Sequence, residues 1–160
     1  MKNIYLKGFF SGSLISMIIS CNSSADLSIS AADKEQIKKE IQAKEDEFAK
    51  TYNAGEIKQI GYYADDAITY YQNKMPLVGK KAIIDFLKGD IDSNSNIIHF
   101  QTKEVFPSND KMQVVEIGYF ELLDSANIVI NTGNYMALFE KRNGVYVSVR
   151  DMSVSNVSLQ

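Results

Sequence analysis

The chain has 160 residues, enough for one domain with a hydrophobic core and too few for two domains of ordinary size. Hydrophobic residues make up 45% and charged residues 23%, which is usual for a globular domain and argues against disorder outside the ends. The 17 Lys and Arg against 20 Asp and Glu give a net charge of -3 without a basic cluster, so a nucleic-acid partner is not expected.

The first twenty residues have the pattern of an export signal. Lys2 and Lys7 precede an apolar run that ends in Ile18-Ile19-Ser20-Cys21. The run is too short and too broken by Ser and Gly to predict a membrane-spanning helix. Its end resembles the bacterial lipobox, which implies cleavage before Cys21, lipidation of Cys21 and an exported protein anchored in the cell envelope. Two alternatives are a plain secretory signal with an incidental Cys and a buried core Cys, which the polar Asn22-Ser23-Ser24 segment disfavours.

These features divide the chain into four parts. Residues 1–20 are the predicted signal peptide, and residues 21–32 are a lipidated Cys followed by a Ser- and Ala-rich flexible tether. Residues 33–156 form the predicted domain, and residues 157–160 are a short tail.

The first half of the domain is predicted to hold three helices. Asp33 is expected to cap the first helix with Gln36 as its capping-box partner, and Asn53-Ala54-Gly55 is expected to end it. A short helix over 56–63 and a strand over 67–71 follow. The third helix is expected to begin near Ala82 and to end near Gly89.

The second half is predicted to be a series of strands. Four extended runs cover 97–106, 112–123, 128–140 and 145–154, and Asn143-Gly144 between the last two is a strong hairpin signal. Helices followed by an antiparallel meander predict an α+β fold in which the helices cover the concave face of a curved sheet.

Several segments together resemble a known family. They are Asn53-Ala54-Gly55-Glu56, Tyr63-Ala64-Asp65-Asp66-Ala67, Gly79-Lys80-Lys81-Ala82-Ile83 and the ending 143–151, in this order. Over about 37–156 the chain resembles the SnoaL-like branch of the nuclear transport factor two-like superfamily, to which ketosteroid isomerase is related. The resemblance implies a cone-shaped, strongly curved antiparallel sheet closed by three helices, a pocket inside the cone, and a homodimer through the outer face of the sheet.

The resemblance does not imply isomerase activity. The positions that match the isomerase's general base and its oxyanion-stabilising Tyr are Tyr71 and Phe48. A tyrosine is a poor base near neutral pH, and phenylalanine cannot donate a hydrogen bond. The sequence therefore leans away from an enzyme.

Three other ionisable residues are candidates for acid-base chemistry. His99 is the sole histidine, and a surface or pocket-lining position is favoured over a catalytic one. Glu116 lies in an apolar run and is expected to point outward or into a dimer interface, although an inward position would raise its pKa. Asp151 follows Arg150, so one of the two is expected to face the cone. Asp65 and Asp66 are interpreted as structural.

A mixed apolar and polar pocket is also predicted. Its expected ligand contacts are Tyr52, Tyr63, Tyr70, Tyr135 and Arg150, whose guanidinium suits an acidic group. No metal site and no cofactor are expected, because motifs for them are missing from the sequence.

Three functional hypotheses remain. The first is a lipid-anchored envelope protein whose domain binds a small, partly apolar ligand or a protein partner without catalysis. The second is an isomerase- or cyclase-type enzyme. The third is a dimerising structural module whose cone is filled by aromatic side chains.

Overall fold

A computed structural model of the protein describes residues 28–157. Cys21 and the predicted signal peptide lie outside these residues. The elements in chain order are α1 (Ala31–Asn53), a 3-10 helix (Ile57–Gln59), β1 (Tyr63–Tyr71), β2 (Leu77–Val78), α2 (Lys80–Ser93), β3 (Ile97–Pro107), β4 (Gln113–Leu123), β5 (Val129–Arg142) and β6 (Val145–Ser155). The strands form one curved sheet in the order β2-β1-β6-β5-β4-β3, which confirms the α+β prediction.

Helix α1 buries one stripe of side chains against the sheet. Ile37, Ile41, Glu45, Phe48 and Tyr52 follow one another at intervals of three or four residues and are all buried. The helix begins two residues inside the segment predicted to be a tether. Its N-cap is Ser30 rather than Asp33, because the Ser30 hydroxyl accepts a hydrogen bond from the Asp33 backbone N–H at 3.0 Å.

The other two helices differ from their predictions. The segment 56–63 forms only a three-residue 3-10 helix, and Tyr63 already belongs to β1. So short a segment gains too few hydrogen bonds to offset the cost of starting an α-helix. Helix α2 continues past Gly89 to Ser93, since one glycine weakens a helix by only about 1 kcal/mol. The described residues thus hold two α-helices, not three.

The sheet is mixed rather than wholly antiparallel. The pairs β1–β2, β3–β4, β4–β5 and β5–β6 are antiparallel, but β1 pairs with β6 in parallel, with Thr69 opposite Asp151. Parallel neighbours need a long connection, and α2 with β3 to β5 supplies it here. This pairing brings the first and last strands of the domain together.

The long strands end close to their predicted limits. Asn143 and Gly144 both have positive φ values, 52° and 81°, as a two-residue hairpin turn between β5 and β6 requires. Helix α1 packs along β3, and α2 packs against β1. The two helices therefore cover one face of the sheet and leave a space beneath them.

Candidate functional site

An open cavity of about 340 Å³ lies between the two helices and the sheet. Nine of the residues that line it are aromatic, contributed by α1, the β1 region, α2 and three strands of the sheet. Phe48 lies among them and makes edge-to-face contacts with the rings of Tyr62, Tyr63 and Phe100. The rings give the cavity a largely apolar wall of defined shape.

Two buried carboxyl groups meet beside this wall. Glu45 of α1 is 1% exposed and accepts a hydrogen bond from the Tyr62 hydroxyl at 2.6 Å. Glu116 of β4 is fully buried, and its Oε1 accepts from Thr102 at 2.6 Å and from Tyr135 at 2.8 Å. The expectation that Glu116 points outward is wrong, because its side chain faces α1 and not solvent.

The surroundings of this carboxyl pair favour its protonated forms. Burial, and next the negative charge of Glu116, raise the pKa of Glu45 well above its usual range, while burial also raises the pKa of Glu116. Among the described residues, Glu116 Oε2 has no hydrogen-bond partner. A protonated Glu45 would supply that donor, because burial favours the neutral form of both acids.

A glycine lets the Tyr135 ring reach this pair. Gly118 of β4 is directly opposite Tyr135 of β5. A Cβ atom at Gly118 would lie 2.1 Å from Cζ of Tyr135, so only glycine leaves room for the ring.

Asp151 of β6 is a polar residue in the cavity wall. Its side chain is deep within the fold but remains partly accessible through the cavity. Burial raises the pKa of Asp151 to about 7, and the nearby Thr69 and Tyr63 hydroxyls lower it by less. Thr69 Oγ1 has no hydrogen-bond partner within 3.5 Å among the described residues. The Thr69 hydroxyl therefore lowers the pKa of Asp151 from a longer distance. Asp151 is therefore an incompletely solvated acid that faces open space.

Polar groups also occupy the mouth of the cavity. The Tyr52 hydroxyl donates a short hydrogen bond to Asp90 of α2, which also accepts from Asn94 at 3.1 Å. The Tyr71 ring lies 4.8 Å from that of Phe86. The exposed Lys74 amine lies over the Phe86 ring, 5.3 Å from its centroid.

The structure brings only part of the predicted site together. Tyr52, Tyr63, Tyr135 and Asp151 line the cavity, as do Phe48 and Tyr71, the positions matched to the isomerase's functional residues. Three of the candidate residues, Tyr70, His99 and Arg150, do not line the cavity.

Tyr70, His99 and Arg150 lie away from the cavity. Tyr70 is 41% exposed, on the opposite face of β1 from Tyr71. Arg150 is also exposed and donates to the Asp66 and Val149 backbone carbonyls, which corrects the expectation that these two residues bind the ligand. His99 is exposed between the cavity-lining Ile98 and Phe100 and so occupies the surface, one of the two positions expected for it.

Asp66 lies on the surface of the domain in an ion pair with Arg142. Its carboxylate receives two hydrogen bonds from Arg142, which also bonds to Glu140. The pair is exposed, and the guanidinium holds the pKa of Asp66 below its usual range.

The sequence reasoning missed Glu45 and Asp90. Glu45 had a visible signal, since it interrupts the otherwise apolar stripe of α1 at a position that must face the core. Asp90 had no such signal, because its place in the site depends on a hydrogen bond from Tyr52, which is 38 residues away in the sequence.

Two further features are absent from residues 28–157. Within 28–157, no group of three His, Cys, Asp or Glu side chains is arranged to hold a metal ion. Neither α-helix in that range is both long and apolar enough to cross a membrane.

Comparisons with known proteins bear on the fold. No family model and no curated protein matches the sequence. Several solved structures are similar to it. A domain of unknown function with a cystatin-like fold from Nostoc punctiforme has a TM-score of 0.67 at 12% identity, with 82% of each chain covered.

Two other solved structures are similar to the same extent. A nuclear transport factor two-like protein of unknown function from Shewanella oneidensis has a TM-score of 0.61 at 18% identity, covering 72% of this chain and 96% of that one. A hexachlorocyclohexane dehydrochlorinase from Novosphingobium barchaimii has a TM-score of 0.65 at 18% identity, covering 80% and 92%. At such identities the likeness shows the fold alone. The chain has the cystatin-like, nuclear transport factor two-like fold that the sequence resemblance implied.

Proposed function

We propose that the domain binds a small, partly apolar organic molecule in the cavity between its helices and its sheet. The observation that carries this proposal is an open space of about 340 Å³ lined by aromatic rings and a few polar groups. This volume is within the usual range for small-molecule sites, and convergent polar groups in an apolar wall provide orientation. The same open space disfavours the hypothesis of a cone filled by its own aromatic side chains.

A fragment screen with a blocked variant tests this proposal. Ser153 of β6 lines the cavity, so Ser153→Trp should fill it, whereas His99→Trp adds the same side chain to the outer face. Fragments that bind the cavity should shift the NMR signals of Tyr63 and Tyr71 in the wild type and in His99→Trp, but not in Ser153→Trp. Equal binding by all three proteins would contradict a cavity site.

A second candidate function is proton transfer by Asp151. It is favoured by one observation: a carboxyl group with a pKa of about 7 lies on the cavity wall near tyrosine hydroxyls. Glu116 is less suited, since it is fully buried and does not line the cavity. His99 is outside the cavity. The dehydrochlorinase with a similar fold shows only that such a fold can host an enzyme.

Hydrogen exchange at a substrate carbon would test this candidate. Carbonyl compounds that enter the cavity should exchange their α-hydrogens with deuterated water faster with wild-type protein than with Asp151→Asn. Equal rates for the two proteins would leave ligand binding as the function.

We also propose that the domain is displayed from a membrane through lipid on Cys21, in the cell envelope. The support is the N-terminal pattern of charge, apolar run, small residue and Cys. Two acyl chains or more would hold the protein stably on a bilayer. Cys21→Ser should release the protein from the membrane fraction or leave it unprocessed, and normal cleavage with unchanged membrane retention would contradict the anchor.

A homodimer through the outer sheet face is proposed as well. Tyr70 of β1, Met152 of β6 and Met136 of β5 are cross-strand neighbours in one row. All three are at least 41% exposed. Val154, 52% exposed, lies two residues beyond Met152 on the same face of β6. We call these four residues the outer apolar patch. Contiguous exposed apolar side chains of this kind are typical of association surfaces.

A further inference from the structure

We infer that the cavity selects a small organic cation, an ammonium group carried on an apolar body. This inference rests on the proposed ligand-binding function and names the chemistry of its ligand. It follows from the charges of the lining residues, from the aromatic wall and from the surroundings of Asp151.

The cavity lining contains more acidic than basic side chains. Glu45, Asp90 and Asp151 contribute carboxyl groups, and the lining residues include Lys74 as their one basic side chain. Lys74 is exposed at the mouth, where water screens its charge. The ion pairs formed within residues 28–157 use other carboxylates, so none of the three is neutralised by a protein cation.

The aromatic wall suits a cation rather than an anion. The faces of Phe and Tyr rings attract positive charge, and this attraction is strongest where water is excluded. Burial raises the pKa of Tyr63 and of Tyr71 well above the ordinary tyrosine value, so both hydroxyls stay neutral. Their oxygen atoms can accept hydrogen bonds from an ammonium group.

Asp151 is the group that a ligand cation would pair with. The titratable groups that face it are Glu45 from α1, Tyr62, Tyr63 and Tyr71 from the β1 region, and Asp90 from α2 beyond Tyr71. All of these are acidic or neutral, so the protein offers Asp151 hydroxyls but no positive charge. A ligand ammonium would supply the missing partner, whereas a carboxylate would be repelled and a neutral body would leave Asp151 unpaired.

Three probes of similar size and different charge separate these cases. They are 2-phenylethylammonium, 2-phenylethanol and phenylacetate, each titrated into the described domain by calorimetry and NMR. At pH 8 the ammonium should bind at least about tenfold more tightly than the alcohol, because only the ammonium pairs with the Asp151 carboxylate.

The pH dependence provides a sharper test. Asp151 loses its charge as the pH falls below about 7, so the ammonium's affinity should drop about tenfold between pH 8 and pH 6. The alcohol's affinity should stay constant. Asp151→Asn should bind the ammonium weakly at both pH values, and His99→Asn should behave as the wild type.

The outcomes distinguish this inference from the proposed function. If the alcohol or phenylacetate binds the cavity as tightly as the ammonium, the domain is still a ligand-binding protein, but the cation inference is overturned. No ammonium binding, or ammonium binding that does not change with pH, also overturns it. The fragment screen with Ser153→Trp tests the cavity site separately.

Discussion

At the scale of single residues, the interior of this domain is unusual in its buried acids. Glu45, Glu116 and Asp151 all have pKa values raised by burial, and none is paired with a Lys or Arg among the described residues. A carboxyl group that binds its proton more tightly in the folded state favours folding at low pH. The acids therefore make stability depend on pH in a defined direction.

Asp151 should make the free energy of unfolding depend on pH. Its pKa rises from an ordinary value of 3.8 to about 7 on folding, so its contribution is complete below about pH 4 and is lost as the pH rises through 7. Between pH 5 and pH 8 the free energy of unfolding should fall by about 1–2 kcal/mol from this group, after allowance for water in the cavity.

Urea unfolding of the wild type and of Asp151→Asn at the two pH values measures this contribution. Asparagine resembles the neutral acid but does not titrate, so the variant should lose less stability at pH 8. An equal loss in both proteins would mean that Asp151 is not the group responsible.

The Glu45–Glu116 pair leads to a second prediction. Glu45→Gln keeps a donor facing Glu116 Oε2 and should change stability at pH 7 by less than about 1 kcal/mol. Glu116→Leu removes the acceptor of Thr102 and Tyr135 and should destabilise the fold by about 2–4 kcal/mol, because only one side of a buried network is lost. Chemical denaturation compares the two variants, and equal losses would contradict a hydrogen bond from a protonated Glu45 to Glu116 Oε2.

At the scale of secondary-structure elements, two glycines in different surroundings should respond oppositely to the same change. Gly118→Ala places a Cβ against the Tyr135 ring and should destabilise the β4–β5 pair by about 1–3 kcal/mol. Gly89→Ala meets no heavy atom within 4 Å in the middle of α2 and should stabilise by about 0.5–1 kcal/mol.

Thermal unfolding measures both effects, and the near-ultraviolet circular dichroism of Gly118→Ala should also change as Tyr135 moves. A Gly118→Ala variant with wild-type stability and spectrum would show that the ring does not need this glycine.

The elements also show why some boundaries were predictable. The turn at Asn143-Gly144 and the end of α1 before Gly55 depend on backbone conformations that few residue types adopt, so the local sequence is informative. The α-helix over 56–63 and the end of α2 at Gly89 were predicted wrongly, because so short a segment does not offset the cost of starting an α-helix and one glycine does not end a helix.

At the scale of the whole molecule, the outer apolar patch predicts the oligomeric state. Met136→Lys with Met152→Glu places charges in the centre of the patch and should convert the proposed dimer to a monomer. Met75→Lys changes a loop methionine that is 83% exposed and serves as the matched control. Light scattering after size-exclusion chromatography measures the mass, and a wild-type monomer at high micromolar concentration would contradict the proposal.

The sequence by itself was sufficient for the α+β class, the four long strands, the covering helices and four of the residues around the cavity. Each of these depends on local periodicity, turn chemistry or segments whose order resembles a family. Only the tertiary structure decided that β1 runs parallel to β6, that Glu116 faces Glu45, and that Tyr70 and Arg150 face away from the cavity. The physical reason is that a one-residue register difference reverses the face of a strand side chain, and register is determined by the partner strand.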